Sequence, residues 1–124
     1  MNNKIQNYLN QNKSISFNNL LFEYIDKSGL TDAEVYNKVN IDRRLFSKIR
    51  CNNHYIPKKQ NIIKLCLSLN LNLIDTQRLL YSAGYTLSTN DNFDLIIKFC
   101  IENKVYNINI INDYLFTYAN TILE

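Results

Sequence analysis

The sequence predicts an all-α protein. Among its 124 residues there are only two glycines and one proline, and the tight turns of all-β folds use these two residue types heavily. Apolar residues instead recur three and four positions apart, the spacing that places them on one face of a helix. Apolar side chains make up 46% of the chain, enough to fill a core at this length. The chain is therefore expected to form one helical domain, with or without a helical extension.

The first two predicted helices are marked by capping signals. A polar N-terminal tail with little periodicity, residues 1–15, precedes the first helix. Ser16 is a suitable N-cap for that helix, and Gly29 ends it because glycine tolerates the left-handed conformation. The second helix begins at a capping box formed by Thr31 and Glu34, whose hydroxyl and carboxylate bind free backbone N–H groups.

A tight turn at Asn40 is predicted between the second helix and a third short one, since Asn also tolerates the left-handed conformation. Asp42 then caps the third helix. Its apolar face consists of Ile41, Leu45, Phe46 and Ile49. The polar side chains left on the outer face are Arg43, Arg44, Ser47, Lys48 and Arg50.

Four more helices follow in the prediction. Pro57 opens the fourth helix, because proline is favoured at the first helical position. Asn72 or Asp75 opens the fifth. Residues 85–124 are expected to form an extension of two helices packed on a domain of residues 16–84. Their apolar positions are Phe93, Ile96, Ile97, Cys100 and Ile101 in the sixth helix, and Ile108, Ile111, Leu115, Tyr118 and Ile122 in the seventh.

The net charge of +3 is concentrated in one segment of the chain. Between Arg43 and Lys64 there are seven basic residues and no Asp or Glu. Carboxylates outnumber basic residues in the rest of the chain after Lys64. Regional positive charge of this kind favours an anionic partner.

Several classes of function lack support in the sequence. The three cysteines form no disulfide framework, which favours a reducing compartment such as the cytoplasm. No apolar run suits a membrane span, and no secretory signal is recognisable. Cys51 and His54 have the spacing of half a zinc site, but a zinc site needs a second pair. No activated nucleophile, carboxylate pair or phosphate-binding glycine loop is evident. We therefore expect no catalytic residue, metal or cofactor, and a function that is not enzymatic.

The first five predicted helices resemble the lambda-repressor-like (Xre-type) helix-turn-helix domain. The matching residues are LTDAEVYNKVNIDRRLFSKIRCNN and the proline-opened helix after them, and the resemblance covers about residues 16–84. It implies a five-helix helix-turn-helix core with two additional C-terminal helices. It also implies that the third helix enters the DNA major groove, where Arg43, Arg44 and Ser47 would contact bases. The side chains that would contact phosphates are Lys48, Arg50, Lys58, Lys59 and Lys64.

A longer stretch, from Leu30 to the C-terminus, resembles a helical module that follows macro domains in some Firmicutes proteins. The matching segments are DAEVYNKVNIDRRLFSKIR, the Pro-Lys-Lys helix, FDLIIKFCIENKVY and INDYLF. This resemblance bears on the fold and leaves the function open.

Two functions are compatible with these features. The first is a small transcriptional regulator, a repressor from a bacterium, phage or mobile element, that binds double-stranded DNA as a dimer on paired half-sites. The second is a protein-interaction module, either an adaptor or a phage-encoded inhibitor of a host defence protein, that docks through the same basic helix. Asp32 and Glu34 favour the second function, because they stand where DNA binders commonly place Gln or Ser and carboxylates repel phosphates. Tyr36 also departs from the repressor family, which prefers a small Ala there.

The C-terminal segment contains more apolar surface than one short helix usually buries, which indicates self-association. The predicted homodimer interface consists of Tyr106, Ile111, Tyr114, Phe116 and Tyr118. The alternative is that the last helix simply packs over the first.

Overall fold

The computed structural model describes residues 2–124, with side chains from residue 3 onward. The regular secondary structure of this part of the chain is entirely helical, with no strand, so the all-α prediction is confirmed. No helix in it has both the length and the apolar character to cross a membrane. The helices are α1 (Asn2–Asn12), α2 (Phe17–Ser28), α3 (Asp32–Lys38), α4 (Arg43–Cys51), α5 (Lys59–Ser68), α6 (Leu73–Ser82), α7 (Asn92–Glu102) and α8 (Ile108–Ala119).

Most of the predicted helix ends are confirmed by their capping contacts. The Ser16 hydroxyl accepts from the backbone N–H of Asn19 at 3.2 Å, and Gly29 has a φ of 72°. In the capping box, the Thr31 hydroxyl accepts from Glu34 N–H at 3.1 Å. The Glu34 carboxylate accepts from Thr31 N–H at 3.0 Å. These ends were predictable because each cap binds groups within a few residues of itself.

The predicted start of the fourth helix at Pro57 is wrong. The helix α5 begins at Lys59, and its N-cap, Lys58, has extended backbone and makes no side-chain capping bond. Pro57 lies before the helix, is buried, and its carbonyl oxygen accepts from the Tyr85 hydroxyl at 3.4 Å. Pro57 thus ends the preceding loop, and its tertiary contact accounts for its position.

One type of turn joins three successive helix pairs. A residue in the left-handed conformation follows α3, α5 and α7, namely Asn40, Asn70 and Lys104, with φ angles of 56°, 52° and 57°. The next backbone N–H then bonds to the carbonyl five residues earlier, as in a Schellman motif. These bonds run from Ile41 to Tyr36, from Leu71 to Cys66 and from Val105 to Cys100. Each turn therefore directs an apolar residue back toward the core while the chain reverses.

The helix α5 lies at the centre of the core, and every residue from Ile62 to Ser68 is buried. It contacts α3 and α6, α2 contacts α6, and α3 contacts α4. The helices α7 and α8 pack against each other, and α7 contacts α6. The buried residues of α7 and α8 belong to the same apolar cluster as those of α2–α6.

The N-terminal segment differs from its prediction as a polar tail with little periodicity. The helix α1 spans most of it, and every side chain from Asn3 to Ser14 is exposed. Ile5, Tyr8 and Leu9 have helical spacing, a signal that the surrounding Asn residues obscure in the sequence. Met1, the first residue of the predicted tail, lies outside the described residues.

Candidate nucleic-acid interface

The helix α4 is fixed at both ends, which positions its outer face. The Asp42 carboxylate caps the start by accepting from Arg44 N–H at 2.7 Å. Near the other end, the buried Asn18 side chain of α2 donates to the carbonyl of Ile49 at 2.7 Å. Phe46 and Ile49 point into the core. The outer face is therefore held by buried contacts on the opposite side of the helix.

The outer face presents the side chains predicted to contact DNA bases. Arg43, Arg44 and Ser47 are all exposed, as is the neighbouring Lys48. Ser47 lies between two shallow grooves, one shared with Arg43 and the other with Arg44. Across residues 2–124, the ion pairs formed are Arg50–Asp32 and Lys59–Asp94. Neither Arg43 nor Arg44 is paired with a carboxylate there, so both guanidinium groups can bind an external acceptor.

Arg50 has a different environment from the other basic residues of α4. Its guanidinium binds the Asp32 carboxylate through two nitrogens, at 2.7 and 2.8 Å. It also stacks on the Phe22 ring, 3.9 Å from the ring centroid. These contacts connect α4 to α3 and α2, and they compensate the charge of Asp32. The predicted role of Arg50 as a phosphate contact would require it to give up this pair.

The second acidic residue at the start of α3 remains charged. Glu34 accepts a hydrogen bond from the backbone of Thr31, which lowers the pKa of its carboxyl from the ordinary value of 4.5. Glu34 is exposed at the start of α3. The same hydrogen bond occupies the Thr31 N–H, so this group at the start of α3 is not available to another anion.

The loop after α4 adds further polar side chains next to the outer face. The ammonium group of Lys48 lies 4.9 Å from the centroid of the Tyr55 ring, which holds the loop against α4. Asn52, Asn53 and His54 are exposed in this loop. Lys58, at its end, is exposed as well. The exposed residues Arg43, Arg44, Ser47 and Lys48 of α4 are called the basic face. Lys58 lies at the end of the loop, where it lines a groove with Lys59 and Glu124.

Lys64 was predicted to contact phosphate, and its position rules this out. Only 3% of the residue is exposed. Its ammonium group donates to the main-chain oxygen of Glu124, and burial lowers its pKa. The sequence contains a signal for this burial, because Lys64 interrupts the apolar run from Ile62 to Leu67.

Lys59 is only partly exposed and is bound to a buried carboxylate. Its ammonium group lies 2.7 Å from Oδ2 of Asp94, which also accepts from Ser88 N–H at 2.7 Å. Asp94 stands 35 residues further along the chain, so no local pattern reveals this pair. Lys59 therefore lies outside the basic face.

Two residues of the predicted dimer interface belong to the chain's own core. Ile111 is fully buried. Tyr106 is half-buried, its hydroxyl donates to the carbonyl of Leu71 at 3.0 Å, and burial raises its pKa. The other three residues, Tyr114, Phe116 and Tyr118, are exposed. The sequence pattern correctly indicates that α8 has more apolar side chains than the core takes up. Only the packing of α8 decides which of them point outward.

The three cysteines and the single histidine divide between the core and the surface. Cys66 and Cys100 are buried, and burial raises the pKa of their thiols to about 12 and about 11. Cys51 and His54 are exposed. No group of three or more His, Cys, Asp or Glu side chains suited to a metal ion occurs among the described residues.

Comparison with protein-family models, with curated proteins and with solved structures found no match to this chain.

Proposed function

We propose that this chain is a small DNA-binding regulator, a repressor that inserts α4 into the major groove of double-stranded DNA. In this proposal α2–α6 form a lambda-repressor-like core, α3 and α4 are its helix-turn-helix pair, and α7 and α8 are additions. The observation that carries the proposal is the basic face of α4, where Arg43 and Arg44 are exposed and make no ion pair within residues 2–124. The regulator would act in the cytoplasm, where its thiols stay reduced.

The dimensions of α4 suit this role. An α-helix with its side chains is about 10–12 Å in diameter, which fits the major groove, about 12 Å wide. The nine residues of α4 give it a length of about 13 Å along the groove. Arg43 and Arg44 occupy its first turn, the part of a recognition helix that meets base edges. Arginine can donate two hydrogen bonds to guanine, which gives sequence preference. Lys48 and Lys58 would bind phosphates, which orient the protein on the duplex.

The pairing of Asp32 with Arg50 reduces the electrostatic repulsion between this end of α3 and the DNA phosphates. A free carboxylate near a phosphate would weaken binding. The bidentate contact to Arg50 compensates the charge of Asp32. Glu34 is the carboxylate that still opposes a phosphate at this end of α3.

A protein-interaction module is the second candidate function. The closed capping box favours it, because the start of α3 offers neither the Thr31 N–H nor the Glu34 N–H to a phosphate. In this case the basic face would dock on an acidic protein surface, as an adaptor or a phage-encoded inhibitor of a host defence protein would. Sequence preference in DNA binding distinguishes the two functions.

The test is selection from a random duplex library at near-physiological salt, followed by affinity measurements on variants. We expect a selected motif, and we expect Arg44→Ala to cost about 1–3 kcal/mol on it and to relax its sequence choice. Lys58→Ala should weaken all duplexes alike and reduce the slope of log K against log salt by about 0.9. Lys27→Ala is the charge control, since Lys27 is exposed on α2 outside the basic face.

Loss of affinity alone would not support a DNA regulator. If no motif is selected, and Arg44→Ala, Lys58→Ala and Lys27→Ala weaken DNA binding equally, only nonspecific charge is involved. That result would contradict the repressor proposal and favour the protein-interaction module.

A further inference from the structure

The short helices α3 and α4 bury few side chains of their own. Val35 is the buried residue of α3, and Phe46 and Ile49 are those of α4. The turn at Asn40 joins the end of α3 to the start of α4 and constrains the two helices at that point. The open end of the pair, opposite the turn, lies between the start of α3 and the end of α4. A contact there acts far from the turn, so it has a large effect on the angle between the helices.

Asp32 and Arg50 close this open end. Asp32 is the first residue of α3, and Arg50 is the last but one of α4. Nε of Arg50 lies 2.7 Å from Oδ2 of Asp32, and a terminal guanidinium nitrogen donates to Oδ1 at 2.8 Å. A contact through two parallel bonds fixes the relative orientation of the two groups as well as their distance.

Aromatic rings continue this contact into the interface of α2, α3 and α4. The guanidinium carbon of Arg50 lies 3.9 Å from the centroid of the Phe22 ring. Phe22 packs edge-to-face on Phe46, with centroids 6.1 Å apart, and Phe46 lies 5.4 Å from the Tyr36 ring. An exposed ion pair alone constrains little. Arg50 is held more firmly, because a carboxylate binds its edge and a ring covers its face.

We propose that Arg50 is a positioning residue, which fixes the orientation of α4 against α3 through Asp32 and Phe22. Arg43 and Arg44, in the first turn of α4, then point in one defined direction. A hydrogen bond to a base edge requires a defined distance and angle, so the orientation of α4 sets the sequence preference. This effect on DNA rests on the proposed function, whereas the orientation of α4 does not. In this role Arg50 stays bound to Asp32 and makes no phosphate contact.

Two conservative substitutions distinguish positioning from direct electrostatic effects. Arg50→Lys keeps the charge, and a lysine also binds phosphate, so a phosphate contact would survive this change. Positioning would not survive it, because lysine has neither the planar fork nor the planar face of arginine. Asp32→Asn removes a carboxylate, which should strengthen binding to every duplex if Asp32 acts only by repelling phosphates. Positioning predicts a loss of sequence preference instead.

The first experiment compares affinity for the selected motif with affinity for a scrambled duplex over a salt series. We expect Arg50→Lys and Asp32→Asn each to lower the ratio of the two affinities by about fivefold or more, as for the loss of one base contact. The salt dependence of Arg50→Lys should equal that of the wild type. Arg78→Lys and Asp26→Asn are the matched controls, because both residues are exposed outside α3 and α4. A ratio unchanged in Arg50→Lys would overturn the proposal.

The second experiment measures the orientation of α4 without DNA, by pulsed electron resonance between two spin labels. The labels are attached through Arg44→Cys on α4 and Gln77→Cys on α6, in a Cys51→Ser background, since the other two cysteines are buried. We expect a narrow distance distribution that Arg50→Lys shifts or broadens. An identical distribution would overturn the proposal. If the wild type selects no DNA motif, the proposed function fails, and this distance alone decides whether Arg50 positions α4.

Discussion

At the scale of single residues, Lys58 and Lys59 show how tertiary contacts give two neighbouring lysines different environments. Lys58 is exposed and makes no ion pair with the described residues. Lys59 compensates the charge of Asp94, a residue only 1% exposed. Removing one partner of such a pair leaves a buried charge without compensation, which is costly. The two lysines should therefore respond very differently to the same substitution.

We predict that Lys59→Met lowers the free energy of unfolding by about 1–3 kcal/mol, less than for a fully buried pair because Lys59 is partly exposed to water. Lys58→Met, the matched control, should change it by less than about 0.5 kcal/mol. Urea unfolding followed by circular dichroism measures both. Equal losses for the two variants would show that the Lys59–Asp94 pair contributes nothing to stability.

At the scale of elements, the short helix α3 depends on its capping box. The box satisfies two backbone N–H groups that the first turn would otherwise leave unpaired. The same bonds stabilise the ionised form of Glu34, whose pKa is lowered in the folded chain. Protonation of Glu34 should therefore weaken α3 and its contacts with α4 and α5.

The contribution of Glu34 to stability should depend on pH in a defined direction. Its folded pKa is below the ordinary value of 4.5, so the contribution is present above that value and is lost as pH falls through the folded pKa. We predict that Glu34→Ala lowers the melting temperature at neutral pH and that the difference from wild type shrinks below pH 4.5.

Glu23→Ala is the control for this pH series, because Glu23 is exposed on α2 and makes no capping bond. Thermal melts across the acid range should show a smaller effect for Glu23→Ala at neutral pH. A Glu34→Ala deficit that stays constant down to the lowest pH would exclude the ionised capping bond as its cause.

At the scale of the whole molecule, the described helices other than α1 share one apolar core. Ile97, Cys100, Ile111 and Leu115, from α7 and α8, join the buried cluster of α2–α6. A hydrogen bond also joins the two parts, since the half-buried Tyr106 donates to the carbonyl of Leu71. The C-terminal helices should therefore unfold together with the rest of the core.

We predict that Leu115→Ala lowers the free energy of unfolding by about 2–5 kcal/mol, the range for emptying a buried leucine site. Unfolding should remain a single transition that coincides by circular dichroism and tyrosine fluorescence. Phe116→Ala is the control, because Phe116 is 70% exposed. Two separate transitions would show that α7 and α8 form an independent unit.

The sequence was most informative where the deciding contacts are local. Ser16, Thr31 and Asp42 were recognisable as caps, because each binds a backbone N–H two or three residues further on. For the fifth predicted helix the sequence left Asn72 and Asp75 open, and the structure shows that Asn72 is the cap. The turn at Asn40 was predictable for the same reason. Pro57 was misplaced because its position depends on Tyr85, 28 residues away. The helix α1 was not predicted, because its apolar stripe has only three residues, Ile5, Tyr8 and Leu9, which lie among polar residues and are not buried.

The sequence by itself determined the all-α class, most helix ends and the concentration of positive charge between Arg43 and Lys64. These follow from hydrogen bonds and periodicities that span only a few residues. Only the tertiary structure decided which of those charges face outward. It buried Lys64, paired Lys59 with Asp94 and Arg50 with Asp32, and left Arg43 and Arg44 exposed. The physical reason is that ion pairing depends on groups that meet only when distant helices pack, and no local pattern reveals which groups those are. The apolar run around Lys64 gives a local signal of burial, but its partner Glu124 is 60 residues away.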